Sequence, residues 1–231
     1  MSETYAQLRK NTVPADRQLK ETDMVRFYNL GGTGKRVMFI GNSITLHAPR
    51  PEIGWHYNWG MAASSAENDY VHRLMAEISQ LEKDPVFCVC QVALWEKNYK
   101  QGESQFHLFE NARNFQADIL VARFNENAVV GENEPELYKA QLLKLLQYLN
   151  PEGNGKLILT TGFWRHPADN AVAEAAKQMG WPLVTLNDLG ERDEMKALGQ
   201  FEHRGVSVHP GDLGMKTIAE RIFSVLKEYL A

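Results

Sequence analysis

A hydroxyl at Ser43, a carboxamide at Asn127 and an imidazole at His209 stand far apart in this chain of 231 residues. Together they are the parts for acyl transfer. A serine hydroxyl attacks once a base takes its proton, and the tetrahedral oxyanion that follows needs fixed N–H donors. These groups matter only if the fold gathers them. Ser43 closes the run Val37-Met38-Phe39-Ile40-Gly41-Asn42-Ser43, where four apolar residues stop abruptly at Gly-Asn-Ser. Such a run reads as a buried parallel strand, with Gly41 permitting a sharp turn. Taken alone, Asn42-Ser43 reads first as a polar turn.

The elements that would position these groups follow from periodicity. Apolar runs predict further strands at 85–94, 118–124, 156–161 and 182–186. Helical spacing joins Val71, Leu74, Met75, Ile78 and Leu81, with Ser65 or Asn68 as cap. It recurs over Leu137, Leu142, Leu145, Leu146 and Leu149, in an alanine-rich stretch at 169–179 stopped by Gly180, and over Ile218, Ala219, Ile222, Leu226 and Leu230. Residues 103–116 read as a weakly patterned helix. Strands separated by helices predict an α/β fold: a three-layer α/β/α sandwich on a five-stranded parallel sheet. Residues 1–35 read as an extension packed on one domain spanning 36–231. Gly31-Gly32-Thr33-Gly34-Lys35 is no phosphate loop, because Arg36 follows the lysine and the glycines precede a strand.

In such a sheet ligands bind beyond the carboxyl ends of the strands. That rule gathers Ser43, Trp95 and Glu96, Asn127, and Trp164, Arg165 and His166, each after its own strand, with His209 before the last helix. A long loop, 46–65, carries Trp55, Tyr57 and Trp59. Loops of this length are usually functional or disordered, and the aromatics argue for order.

Composition closes several classes. A formal charge of −4 gives no basic footprint for nucleic acid and no polybasic patch for an acidic membrane. No window approaches the roughly 20 apolar residues of a membrane span. The N-terminus shows no basic and apolar leader, although a chain whose leader had been removed would look the same. Cys88 and Cys90 share one strand face and point in parallel, so they read as buried thiols of a reducing compartment, and a cytoplasmic setting is expected. His203 and His209 lack a third ligand at suitable spacing, so no metal is expected. The oligomeric state is not legible.

Gly41-Asn42-Ser43-Ile44-Thr45 resembles the first block of the SGNH, or GDSL-type, hydrolase superfamily, with Asn for the usual Asp. His209-Pro210-Gly211-Asp212-Leu213-Gly214-Met215 is similar to its last block, Asn125-Glu126-Asn127 falls at its Gly-x-Asn block, and Gly60 is the candidate second-block glycine. The resemblance implies a flavodoxin-like serine esterase without a cofactor. Ser43 would be nucleophile and His209 general base. The N–H groups of Ser43 and Gly60 and the Asn127 side chain would form the oxyanion hole. A small acyl ester, acetyl above all, of a carbohydrate or similar polar molecule is the expected substrate, with Trp59, Trp95 and Trp164 as candidate binding faces.

One departure is serious. The superfamily places an Asp three residues before the histidine, where this chain has Val206. Valine cannot accept the imidazole N–H that fixes the tautomer; in a serine protease, changing the equivalent Asp to Asn lowers turnover by roughly 10⁴-fold. Three readings stay open: a backbone carbonyl near residue 206 orients His209, Glu202 or another carboxylate folds in, or the protein is a non-catalytic or weakly active carbohydrate binder. His166 is a lesser candidate base, and Asp212 reads as a helix N-cap.

Overall fold

The computed structural model describes residues 19–132 and 134–230. Its centre is a six-stranded sheet of β1 (Val25–Tyr28), β2 (Arg36–Gly41), β3 (Val86–Gln91), β4 (Ile119–Arg123), β5 (Lys156–Thr160) and β6 (Leu183–Val184), in the order β1-β3-β2-β4-β5-β6. The five expected strands are all parallel. The sixth, β1, pairs antiparallel with β3 at the edge and lies within the stretch assigned to the N-terminal extension. Val25 and Phe27 face inward while Arg26 and Tyr28 are half-buried, an alternation too short to stand out in the sequence. At the opposite edge β6 shrinks to two residues: Pro182 before it has no N–H for the ladder, and beyond it Leu186 N and Asn187 N donate to the Thr161 hydroxyl at 2.7 and 3.0 Å.

Strand periodicity divides the core between two faces. Met38, Ile40, Cys88, Cys90, Leu120 and Ala122 pack on one side, under α4 (Pro135–Leu149) and α5 (Ala168–Met179). Val37, Phe39, Phe87, Val89, Ile119 and Val121 pack on the other, under α1 (Tyr70–Leu81) and α7 (Asp212–Leu226). Both faces of the sheet are therefore covered, as a parallel sheet requires. The cysteines are free and buried, and burial pushes both thiols well up, leaving them protonated.

Three local expectations need correcting. Asp69, rather than Ser65 or Asn68, caps α1, its side chain accepting from His72 N at 2.8 Å. The stretch expected as one helix over 103–116 is a 3₁₀ segment, Tyr99–Phe109, kinked at Gly102 and continued by the short α3 (Glu110–Asn114); another short helix, α2 (Ala93–Asn98), precedes it. Gly41 is demanded by space rather than by a turn: a Cβ there would collide with Thr45 and with the Arg123 carbonyl.

Candidate active site

β2 ends at Gly41, and Asn42 turns the chain, its carbonyl accepting from Thr45 N at 2.9 Å and Leu46 N at 3.0 Å. This turn leaves Ser43 half-buried at the carboxyl edge of the sheet. From the far end of the sequence, α6 (Arg204–Ser207) leads directly to His209. Ser43 Oγ and His209 Nε2 lie 2.9 Å apart. The other ring nitrogen, Nδ1, is 2.7 Å from the Gly205 carbonyl. A carbonyl only accepts, so Nδ1 carries the proton and Nε2 offers its lone pair to the Ser43 hydroxyl. That is the tautomer a general base needs.

Position 206 is explained by the same turn. Val206 is fully buried in a small cluster with Trp55, Met61, Ala62 and Ala197, beneath the aromatic loop. A carboxylate there would be desolvated among apolar groups. The helical turn instead puts the carbonyl of the preceding residue on Nδ1. Glu202 is exposed, and His166 Nδ1 accepts from Ala168 N at 3.2 Å at the start of α5. Neither takes the place that sequence left open for it.

Burial pushes the His209 pKa down to about 4; the Gly205 carbonyl opposes this, and the positive charge of Arg123 and His47 adds to it. The imidazole is then neutral over most of the acid range. If His209 is the base of an esterase, the acid limb of kcat/KM, which reports groups of the free enzyme, should centre near pH 4, falling as protonation removes the acceptor lone pair. A stopped assay across pH 3–8 measures this, and a limb at the ordinary histidine value near 6.5 would contradict it.

The expected oxyanion donors divide. Nothing among the described residues accepts the Ser43 N–H. Asn127 is half-buried beyond β4, its Nδ2 giving one hydrogen to Glu96 Oε2 at 2.9 Å. Gly60 departs from the expectation. Met61 N donates to Ser43 O at 2.8 Å, so its peptide lies beside the nucleophile turn, but Gly60 N–H donates to the buried Asp69 carboxylate at 3.0 Å. In this conformation that donor is already engaged. Asn125, where the superfamily has glycine, adopts φ 147°, a region few side chains tolerate. It is held there by Glu96 Oε1 on its N–H at 2.6 Å and by Tyr138 OH, which donates to its Oδ1 at 3.1 Å.

The tryptophans also divide. Trp164 stands edge-on to His209, ring centres 5.4 Å apart. Trp59 is half-buried and stacks on the exposed Tyr57 at 4.4 Å. Trp95 is not a binding face: it is fully buried against Phe124 and Tyr138, because α2 turns it into the core. Asp212 is not the N-cap of its helix, a position taken by Gly211; its carboxylate accepts from Ser64 N at 2.9 Å and Ser64 Oγ at 2.6 Å, pinning the end of the aromatic loop.

Sequence reasoning missed the layer below Ser43. Arg123, fully buried at the end of β4, donates to Asn42 Oδ1 at 3.1 Å and pairs with Glu126. Asn42 Nδ2 donates to Glu126 Oε2 at 2.6 Å and to Glu96 Oε1 at 3.2 Å. Asn42 was expected to shape only its turn. It also joins three charged side chains.

The sequence matches no family profile and no curated protein sequence. Solved structures do share its architecture. A two-domain esterase active on acetylated mannans superposes with a TM-score of 0.54 at 16% identity, over 85% of this chain and 50% of its own. Salicylyl-acyltransferase SsfX3 from a tetracycline biosynthetic pathway gives 0.55 at 14%, over 85% and 55%. A member of the lipolytic G-D-S-L family from Veillonella parvula DSM 2008 gives 0.50 at 14%, over 83% and 98%. The chain thus spans about half the length of the first two. This chain therefore shares the fold of these esterase, acyltransferase and G-D-S-L-family structures.

Proposed function

We propose that the protein is a serine esterase that removes a small acyl group, acetyl above all, from a carbohydrate or similar polar alcohol. The observation that carries this reading is the relay from the Gly205 carbonyl through His209 to Ser43, at 2.7 and 2.9 Å. Ser43 Oγ attacks the ester carbonyl as Nε2 takes its proton. The Gly205 carbonyl holds Nδ1–H and steadies the imidazolium. The Ser43 N–H and the Asn127 amide receive the oxyanion, and the imidazolium returns its proton to the leaving alcohol. Water, activated by the same imidazole, then releases the acid from the acyl-serine.

Aromatic faces at Trp164 and at the Tyr57–Trp59 stack support a sugar as the alcohol, since pyranose rings lie flat on such surfaces. The acetylated mannan substrate of one structural relative agrees with this choice. A fluorophosphonate probe tests the reading. A stoichiometric mass increase confined to Ser43, and absent in Ser43→Ala, is the expected result. Glycan binding with no adduct would make the protein a carbohydrate binder on the hydrolase fold.

A further inference from the structure

One buried carboxylate has no part in the steps above. Glu96, on α2 just past the end of β3, is fully buried. Its Oε1 accepts from Asn125 N at 2.6 Å, Asn42 Nδ2 at 3.2 Å and Asn127 N at 3.3 Å, and its Oε2 accepts from Asn127 Nδ2 at 2.9 Å. Burial raises its pKa, and these donors pull it back. Taking a carboxylate out of water is costly unless hydrogen bonds compensate it, and here four donors converge on it. The four donors belong to three residues framing the site: Asn42, which precedes the nucleophile, and Asn125 and Asn127, which follow β4.

We propose that Glu96 is the positioning residue of the oxyanion hole, locking the Asn127 carboxamide with its nitrogen presented as the donor. The inference rests on Asn127 serving as an oxyanion donor in the proposed esterase. A carboxamide is nearly symmetric in shape, so only its neighbours decide which end is oxygen. Against Glu96 a flipped amide would set carbonyl oxygen against carboxylate oxygen. The nitrogen therefore faces Glu96 and gives it one hydrogen. The second hydrogen has no acceptor among the described residues. The same carboxylate also accepts the Asn127 backbone N–H, so main chain and side chain are gripped at two points. Through Asn42 it ties that donor to the nucleophile turn, fixing the distance between attacking oxygen and oxyanion site.

Glutamine cannot do this work. Only one of its two terminal atoms accepts, and its NH₂ group would confront the N–H donors that Glu96 now gathers. With p-nitrophenyl acetate, Glu96→Gln and Asn127→Ala should each lower kcat about 10²-fold, as loss of one oxyanion donor does, with KM little changed. The double variant should lie within about threefold of Asn127→Ala alone, because a misplaced amide and an absent one are equivalent. Glu96→Asp keeps the charge but draws it back by one methylene, and should recover part of the kcat lost in Glu96→Gln. A second readout needs no turnover: the Asn127 side-chain ¹⁵N–¹H₂ signals, assigned by their loss in Asn127→Ala, should move in Glu96→Gln. Kcat losses that multiply in the double variant, or Asn127 amide signals unmoved by Glu96→Gln, would overturn the proposal. Absence of Ser43-dependent turnover in the unmodified protein would instead overturn the esterase reading, and the amide signals would still decide the role of Glu96.

Discussion

Ser43→Ala is expected to abolish esterase turnover, lowering kcat by on the order of 10⁴–10⁶-fold, with little change in fold. The hydroxyl is the only group within hydrogen-bond reach of His209 Nε2 among the described residues, so in the proposed mechanism its loss removes both the attacking atom and the target of the base. His209→Ala should cost a similar factor, since an unassisted serine hydroxyl is a poor nucleophile near neutral pH. The double variant should be no worse than either single one, because the two residues act as a unit and what survives comes from binding and oxyanion contacts. Ser43 is small and half-buried, so its thermal midpoint should stay close to that of the unmodified chain. Hydrolysis of p-nitrophenyl acetate in purified protein measures the kinetic effect. Ser43→Ala activity within about tenfold of the original would remove the catalytic reading.

The largest effect on stability is expected at Arg123. Its guanidinium is fully buried, pairs with Glu126 and donates to Asn42 beneath Ser43. Burial lowers its pKa; the nearby Tyr70, Glu96 and Asp169 oppose that shift and keep it charged. Arg123→Met removes the cation and leaves Glu126, whose side chain is 8% exposed, buried without its partner. Breaking a buried pair from one side costs about 3–5 kcal/mol, which in a chain of this size is a fall in Tm of about 10 °C. Adding Glu126→Gln should restore part of that loss, since the uncompensated charge is then gone. Thermal denaturation of both variants measures this. An unchanged Tm in Arg123→Met would mean that the pair contributes little to stability.

The contrast between these two sites explains what the sequence discloses. Ser43 and His209 were legible because each sits in a short motif, and because strand ends in a parallel sheet converge. Strands β2 to β5 were legible because a strand buried on both faces must be an apolar run. Arg123 and Glu126 offered no such mark. A charged residue at the end of a strand, or just beyond it, reads as solvated, and only the packed structure turns it inward. Trp95 failed in the opposite sense: its place after β3 suggested the cleft, but a helical turn points it to the core. Gly60 could not be judged either, because nothing in its neighbourhood announces that Asp69, nine residues on, takes its N–H.

The acceptor behind His209 is a peptide carbonyl, and no codon specifies a carbonyl. Every residue type supplies one, so substituting Gly205 leaves the atom itself in place, whereas a triad carboxylate disappears with one nucleotide change. What selection can act on is the path of the chain, fixed here by the turn of α6 and by Val206 seated beneath Trp55. The third member of the proposed relay is thus inherited as a conformation rather than as a residue, and a variant that unseats Val206 would reach the histidine without touching it.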